Sequence, residues 1–308
     1  MTTAYITHKD CELHDMGGGH PESPARLRAI RDYLMEREVW DFLRHVDAPK
    51  IEKKHLYRVH NRDYVDSIFE HFPLQQTIRE LGQDVIANKH TLDAALRAAG
   101  GVCKGVDMVM GGEVSNAFCA VRPPGHHAER RRAMGFCIFS NVAVAAAYAL
   151  QTYNLDRVAI IDIDVHHGNG TEDILQYDDR VLFCSSFQYP LYPHIVPDNS
   201  RSNVVHTPMH AGTCSDEYRD WIRRDWLNKL ETFHPQLILI SAGFDAHQAD
   251  PLADIYLDER DYRWITDELM QVANRCCEGR IVSSLEGGYE LTALSRSAYQ
   301  HIRTLMGL

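Results

Sequence analysis

At 308 residues, with 44% hydrophobic and 24% charged side chains, the chain has the makeup of a globular protein able to bury a sizeable core. Acidic residues outnumber basic ones by 43 to 32, a net charge of −11, which argues against generic binding to nucleic acid or anionic membranes and mildly favours cationic substrates. The eight cysteines show no C-x-x-C and no disulfide-like spacing, so a reducing cytoplasm is the expected compartment. No signal-peptide pattern is visible, and the longest apolar run, around Val142–Leu150, is too short to span a bilayer.

Taken in order, Thr3–Thr7 reads as a short strand. A glycine-rich loop from Met16 to Glu22 follows, and Ser23-Pro24 predicts an N-cap and first turn opening a helix to about Arg37. Apolar residues at helical spacing predict helices over Glu52–Glu70 and Thr91–Met110. The strand Asn116–Val121 runs into Arg122-Pro123-Pro124-Gly125-His126-His127. Gly135-Phe136-Cys137 then leads to an apolar helix from about Ser140 to Gln151. Val158 to Gly170 reads VAIIDIDVHHGNG, a buried parallel strand turning into a helix near Thr171. Strands at Val181–Phe187, Asn203–Thr207, Leu237–Ser241 and Arg280–Leu285 alternate with helices at Ser215–Phe233, Asp258–Cys276 and Leu294–Met306. Such alternation predicts an α/β fold: one domain over 1–308, an open parallel sheet with helices on both faces.

Polar residues recur just past the ends of four apolar strands: His126/His127, Asp164/His166, Asp245 and Tyr289. Open parallel sheets converge their strand ends on one edge, so these residues can meet in one pocket. Asp162, Asp164 and His166 alternate and so point the same way, and buried carboxylates need a cation. Asp164, His166 and Asp245 make a three-ligand set with an open fourth position. His126 and His127 can transfer protons, and Tyr289 can donate to an oxyanion. Singly, each has a bland alternative: a structural loop for the histidines, a turn cap for Asp245, packing for Tyr289. Four such coincidences at four strand ends favour one site.

The motifs PPGHHA, DIDVHHGNGT, SAGFDAHQADP and LEGGY together resemble the arginase/deacetylase superfamily. Within it the chain is similar to class II histone deacetylases and to bacterial deacetylase-like and acetylpolyamine amidohydrolases, from His20-Pro21-Glu22 to Tyr289. The resemblance implies that Asp164, His166 and Asp245 hold Zn²⁺, with Fe²⁺ or Co²⁺ also compatible with an Asp₂His set. It implies His127 as general base and acid, His126 as electrostatic support oriented by Asp162, and Tyr289 as the donor polarising the acyl carbonyl. Asn169 falls where other branches carry an aspartate paired with the second histidine. A structural K⁺ is implied at Asp162, Asp164, the His166 carbonyl, Ser185 and the Ser186 carbonyl. Phe136, with Gly135 beside it, and Tyr192 match walls of a substrate tunnel, and Arg26 matches an internal-channel arginine.

The implied reaction is metal-assisted hydrolysis of an acylated amine, either a small molecule or an acetyl-lysine peptide or protein. An acetylpolyamine amidohydrolase is the alternative. Leu252 stands where such enzymes are expected to place an acidic gatekeeper, which argues against it, while Asp84 is a rim candidate for substrate backbone or amine. A non-catalytic metal-stabilised binding protein is a third reading, disfavoured because binding alone would not require both histidines and the tyrosine.

Overall fold

In the computed structural model, which describes residues 1–72 and 78–308, the strands are β1 (Thr3–Thr7), β2 (Arg44–Asp47), β3 (Ile78–Gly82), β4 (Val85–Asn88), β5 (Asn116–Cys119), β6 (Val158–Asp162), β7 (Val181–Gln188), β8 (Val204–Met209), β9 (Leu237–Ala242) and β10 (Ile281–Leu285). Eight of them form one sheet in the order β2-β1-β5-β10-β9-β6-β7-β8, every pair parallel, while β3 and β4 make a separate hairpin.

Helices cover both faces of this sheet. On one, Gly105 of helix Thr91–Met110 approaches so closely that a Cβ there would lie 2.8 Å from Val282 Cγ1 and 3.4 Å from Ala117 Cβ. On the other, His301 of helix Leu291–Leu305 meets the next residue along each strand: its ring centroid is 5.7 Å from that of Phe118, and its Nε2 is 2.8 Å from Ser283 Oγ. Neighbouring residues facing opposite layers is the two-residue period of a strand, here buried on both sides. That is why Val158–Ile161 and Leu237–Ile240 are unbroken apolar runs.

The winding positions the site. From β6 the chain steps outward to β7 and β8, then returns to lay β9 on the other flank of β6 and continues away to β10. Adjacent strands whose connections leave in opposite directions open a crevice at their carboxyl ends.

Expected and observed elements differ in specific places. The helix expected over Glu52–Glu70 is two helices, Lys53–Leu56 and Arg62–Glu70. Between them His60 leaves the helical path to bridge two other segments, its Nε2 accepting from the Ser140 N–H at 3.0 Å and its Nδ1 lying 2.9 Å from the Glu129 carbonyl. Asn61 then caps the second helix through the Asp63 N–H and donates its own N–H to the Arg130 carbonyl. The first long helix starts at Ala25, with Pro24 rather than Ser23 at the cap position. Helix Ser215–Phe233 contains a wider π turn at Arg223–Leu227. Strand β2, the β3–β4 hairpin and a short helix at Lys9–Leu13 carry no clear apolar period; β2 (RHVD) is an exposed edge strand.

Candidate active site

Asp162 is the last residue of β6 in the ladder, paired with Ser185 of β7 and Ser241 of β9. Past it the alternation persists: Ile163 and Val165 join the hydrophobic core, while Asp162, Asp164 and His166 share one polar cluster. Asp164 Oδ1 and Asp245 Oδ2 lie 3.0 and 3.1 Å from His166 Nδ1. Their other oxygens are engaged, Asp164 Oδ2 by the Gly287 N–H at 2.8 Å and Asp245 Oδ1 by the Val165 N–H at 2.9 Å. Asp164 Oδ1 also accepts from the His166 N–H at 2.8 Å, so backbone donors fix both carboxylates in place. Two buried carboxylates converging on one imidazole nitrogen, with no lysine or arginine paired to either among the described residues, make a donor set that fits a divalent cation.

The two histidines behave oppositely. His126 Nδ1 lies 3.0 Å from Asp162 Oδ2 and its Nε2 3.8 Å from Asp164 Oδ2. Burial opposes its charge, but Asp164 and Asp162 outweigh burial and hold its pKa well above the ordinary histidine value. The His127 ring centroid is 4.0 Å away, and its Nδ1 lies 2.8 Å from Asn169 Oδ1. Burial, then the charge of His126, push His127 well below the ordinary value. Adjacent groups driven apart in this way are suited to separate acid–base tasks. Glu286, from the LEGGY motif, anchors their loop: its Oε2 accepts from the N–H groups of Gly125 (2.6 Å) and His126 (3.1 Å), and Ser241 Oγ donates to Oε1. Burial pushes its pKa up to about 7.

Above this cluster lies a cavity of about 210 Å³. His127 and His166 form its buried floor, Phe136, Leu191, Tyr192 and Tyr289 its walls, and the exposed Asp84 marks its mouth beside Leu252. Tyr192 stands edge-on to His127, with centroids 5.0 Å apart, and Phe136 edge-on to Tyr289 at 6.0 Å. Gly135 has φ +54°, and a Cβ there would sit 2.5 Å from His127 Cδ2 and 2.8 Å from Tyr192 Oη, so this wall admits only glycine. Arg26 does not line the cavity. It is fully buried, donating to the carbonyl of Gly288 at 2.7 Å and to Glu22 Oε1 at 3.1 Å. Glu22 also takes both ends of the Arg122 fork, and these two guanidinium groups pull its pKa down to about 2 against burial.

The residues matched to a K⁺ site surround the end of β6. Asp164 and His166 are buried, yet among the described residues their carbonyls accept no hydrogen bond, which leaves their lone pairs free for a cation. Ser185 Oγ is 3.0 Å from His167 Nδ1. His167 and His206 both bring Nε2 to Glu172 Oε2, at 2.6 and 2.7 Å. Burial opposes the Glu172 charge, but these two hydrogen bonds hold its pKa down to about 2, so it only accepts and both Nε2 atoms carry protons. His167 Nδ1 must then accept from the Ser185 hydroxyl, leaving the serine lone pairs free for a cation. His206 Nδ1 likewise accepts from the Asp198 N–H at 2.7 Å. This second His–Glu–His cluster is thus closed by its own hydrogen bonds, with both Nδ1 atoms engaged as acceptors.

Sequence reasoning did not single out Leu191, Glu129, Glu172, His206, Glu286 or the Glu22–Arg122 pair. The one available signal was a glutamate placed between the apolar strand β10 and Gly287-Gly288.

The histone deacetylase domain pattern matches residues 20–305. The chain belongs to the histone deacetylase domain family. It is 36% identical over 280 residues to the histone deacetylase-like amidohydrolase of Pseudomonas aeruginosa, covering 88% of this chain and 73% of that protein. It is 32% identical over 361 residues to type-2 histone deacetylase 2 of Dictyostelium discoideum, of whose length it spans only 21%. Among solved structures, the HDA15 HD domain superposes with a TM-score of 0.92 at 34% identity, covering 99% of this chain and 90% of that one. The eight-stranded parallel sheet flanked by helices is thus the fold of this family.

Proposed function

We propose that residues 1–308 act as one metal-dependent catalytic domain that removes an acetyl or related acyl group from an amine, with acetyl-lysine-type substrates preferred. The observation that carries this reading is the convergence of Asp164, His166 and Asp245 beside His127 at the floor of a largely apolar cavity. A zinc, iron or cobalt ion held by the three donors would polarise the amide carbonyl and acidify the attacking water. His127, kept neutral by burial and by His126, takes the water proton and returns it to the departing amine. The Tyr289 hydroxyl donates to the carbonyl oxygen as it gains charge. His126, held cationic by Asp162 and Asp164, adds positive potential without leaving its place. A structural K⁺ fits the Asp162, Asp164, His166, Ser185 and Ser186 set, its need for free oxygen lone pairs met by the unengaged carbonyls and the oriented Ser185 hydroxyl.

The walls formed by Phe136, Leu191, Tyr192 and Leu252 suit an aliphatic chain entering end-on. Leu252 in place of a carboxylate favours acetyl-lysine over polyamines. Asp84 supports the second reading, an acetylpolyamine amidohydrolase, because an exposed carboxylate at the mouth would attract a distal ammonium as readily as peptide N–H groups. All eight cysteines are free thiols, which suits a reducing cytoplasm, and no helix among the described residues is long and apolar enough to cross a membrane. The test is kcat/KM of zinc- or cobalt-reconstituted protein on acetyl-lysine peptides, N-acetylputrescine and N-acetylspermidine, with His127→Ala as the blank. Peptide preference supports the reading, polyamine preference installs the second, and His127-independent turnover overturns both.

A further inference from the structure

Asn169 presents an amide where a carboxylate would bind the His127 ring more strongly, and the residue behind it supplies the reason. Its Nδ2 donates to Glu129 Oε1 at 2.8 Å while its Oδ1 lies 2.8 Å from His127 Nδ1. A carboxylate only accepts, so the amide has one permitted orientation: NH₂ toward Glu129, oxygen toward His127. The amide oxygen also only accepts, so His127 Nδ1 carries the proton and its Nε2 lone pair is left for the cavity.

Glu129 is itself fixed. Arg132 grips both carboxylate oxygens, at 2.7 and 2.8 Å, and the Glu129 N–H donates to the Arg132 carbonyl at 3.1 Å. The Glu129 carbonyl is held by the buried His60, the residue that interrupts the helix expected over Glu52–Glu70. We propose that Glu129 is a positioning residue, which acts through Asn169 to set the tautomer of His127; this rests on the reading of His127 as the general base. The carboxylate that orients the base has been moved one residue outward, and the intervening side chain must then be an amide. An aspartate at 169 would place two carboxylate oxygens 2.8 Å apart, at the distance now spanned by the Asn169–Glu129 hydrogen bond.

The experiment compares wild type, Glu129→Leu, Asn169→Asp and the double variant Asn169→Asp/Glu129→Gln as full-length, metal-reconstituted proteins. Glu129→Leu is expected to lower kcat about 10–100-fold with KM unchanged, the usual cost of losing a residue that orients a ligand or base. Asn169→Asp is expected to fall at least as far, and the double variant to recover about tenfold over it, because the added glutamine can donate to the new aspartate. Equal loss in Asn169→Asp and the double variant, or full activity in Glu129→Leu, overturns the proposal. Histidine-ring ¹⁵N NMR, with the His127 signals assigned by their loss in His127→Ala, reads the tautomer without turnover. A single Nδ1–H form in wild type that becomes a mixture in Glu129→Leu supports the positioning role even if no acyl-amine is hydrolysed, and that outcome would fault only the catalytic reading. An unchanged tautomer in Glu129→Leu overturns the positioning role itself.

Discussion

The guanidinium carbon of Arg26 lies 5.1 Å from the centroid of the Tyr289 ring, while its Nε grips the carbonyl of the residue before that tyrosine. The contact ties a helix near the start of the chain to the loop after the last strand. Tyr289→Phe is expected to lower kcat about 10²–10³-fold, the cost of one oxyanion donor. Arg26→Met should lower kcat as well, by freeing the tyrosine, and add little when combined with Tyr289→Phe. Steady-state kinetics of the double-mutant cycle checks this, and additive losses would refute the link.

The opposite displacement of the two histidines predicts a pH profile. A base whose pKa is lowered stays unprotonated to lower pH, so the acid limb of kcat/KM should lie below about 6.5, the ordinary histidine value. Replacing His126 by Gln removes the neighbouring positive charge, and the limb should move upward while the rate falls. A limb that moves downward in His126→Gln would contradict the assigned charges.

Glu22 lies fully buried between Arg26 and Arg122, so Glu22→Gln leaves two cations uncompensated and is expected to cost about 3–5 kcal/mol of stability. The sign with pH follows from a carboxyl held down to about 2 when folded and near 4.3 when unfolded. Its contribution is fully present above about pH 4.3 and is lost as pH falls toward 2. Urea denaturation of both proteins should therefore show their difference shrinking over that acid range.

Asp245→Asn replaces an anionic donor by a neutral one. Elemental analysis after dialysis should find metal in the wild type and none above background in the variant, with a lowered Tm for chelator-treated wild type. Stoichiometric metal in Asp245→Asn would refute the assignment of that ligand.

The Tyr192 hydroxyl is buried and has no hydrogen-bond partner among the described residues, although it borders the cavity. Removing an unsatisfied buried hydroxyl costs nothing, so Tyr192→Phe should be as stable as wild type or about 1 kcal/mol more so by thermal unfolding. A loss of stability would reveal a partner for that hydroxyl.

The parts of the fold legible in the sequence are those buried on both faces, because burial enforces the pattern. The run of β6 and its break into D-x-D-x-H can be read as a strand end with solvated charges, but that is costly in so apolar a strand, and His127, Asp164, His166, Asp245 and Tyr289 do meet at one sheet edge. Exposed elements carried no comparable signal, so β2 and the hairpin presenting Asp84 were invisible. The break between Lys53–Leu56 and Arg62–Glu70 was hidden for another reason: His60 and Asn61 are drawn off by Glu129 and Arg130, distant in the chain. Glu129, Glu172 and Glu286 share that property, since each looks like an ordinary surface acid until its partners are known. Arg26 is the reverse case, a residue matched to a channel whose charge is spent on Glu22 and backbone carbonyls.

Strand β9 enters the sheet out of chain order, slotting between β6 and β10. As the polypeptide is synthesised, Asp164 and His166 leave the ribosome well before Asp245, and the tyrosine follows later still. A nascent fragment ending before β9 lacks Asp245 and so cannot complete the three-donor set. On the proposed reading, a product truncated there would offer two of the three donors, so the order of the strands ties full metal affinity to completion of the sheet.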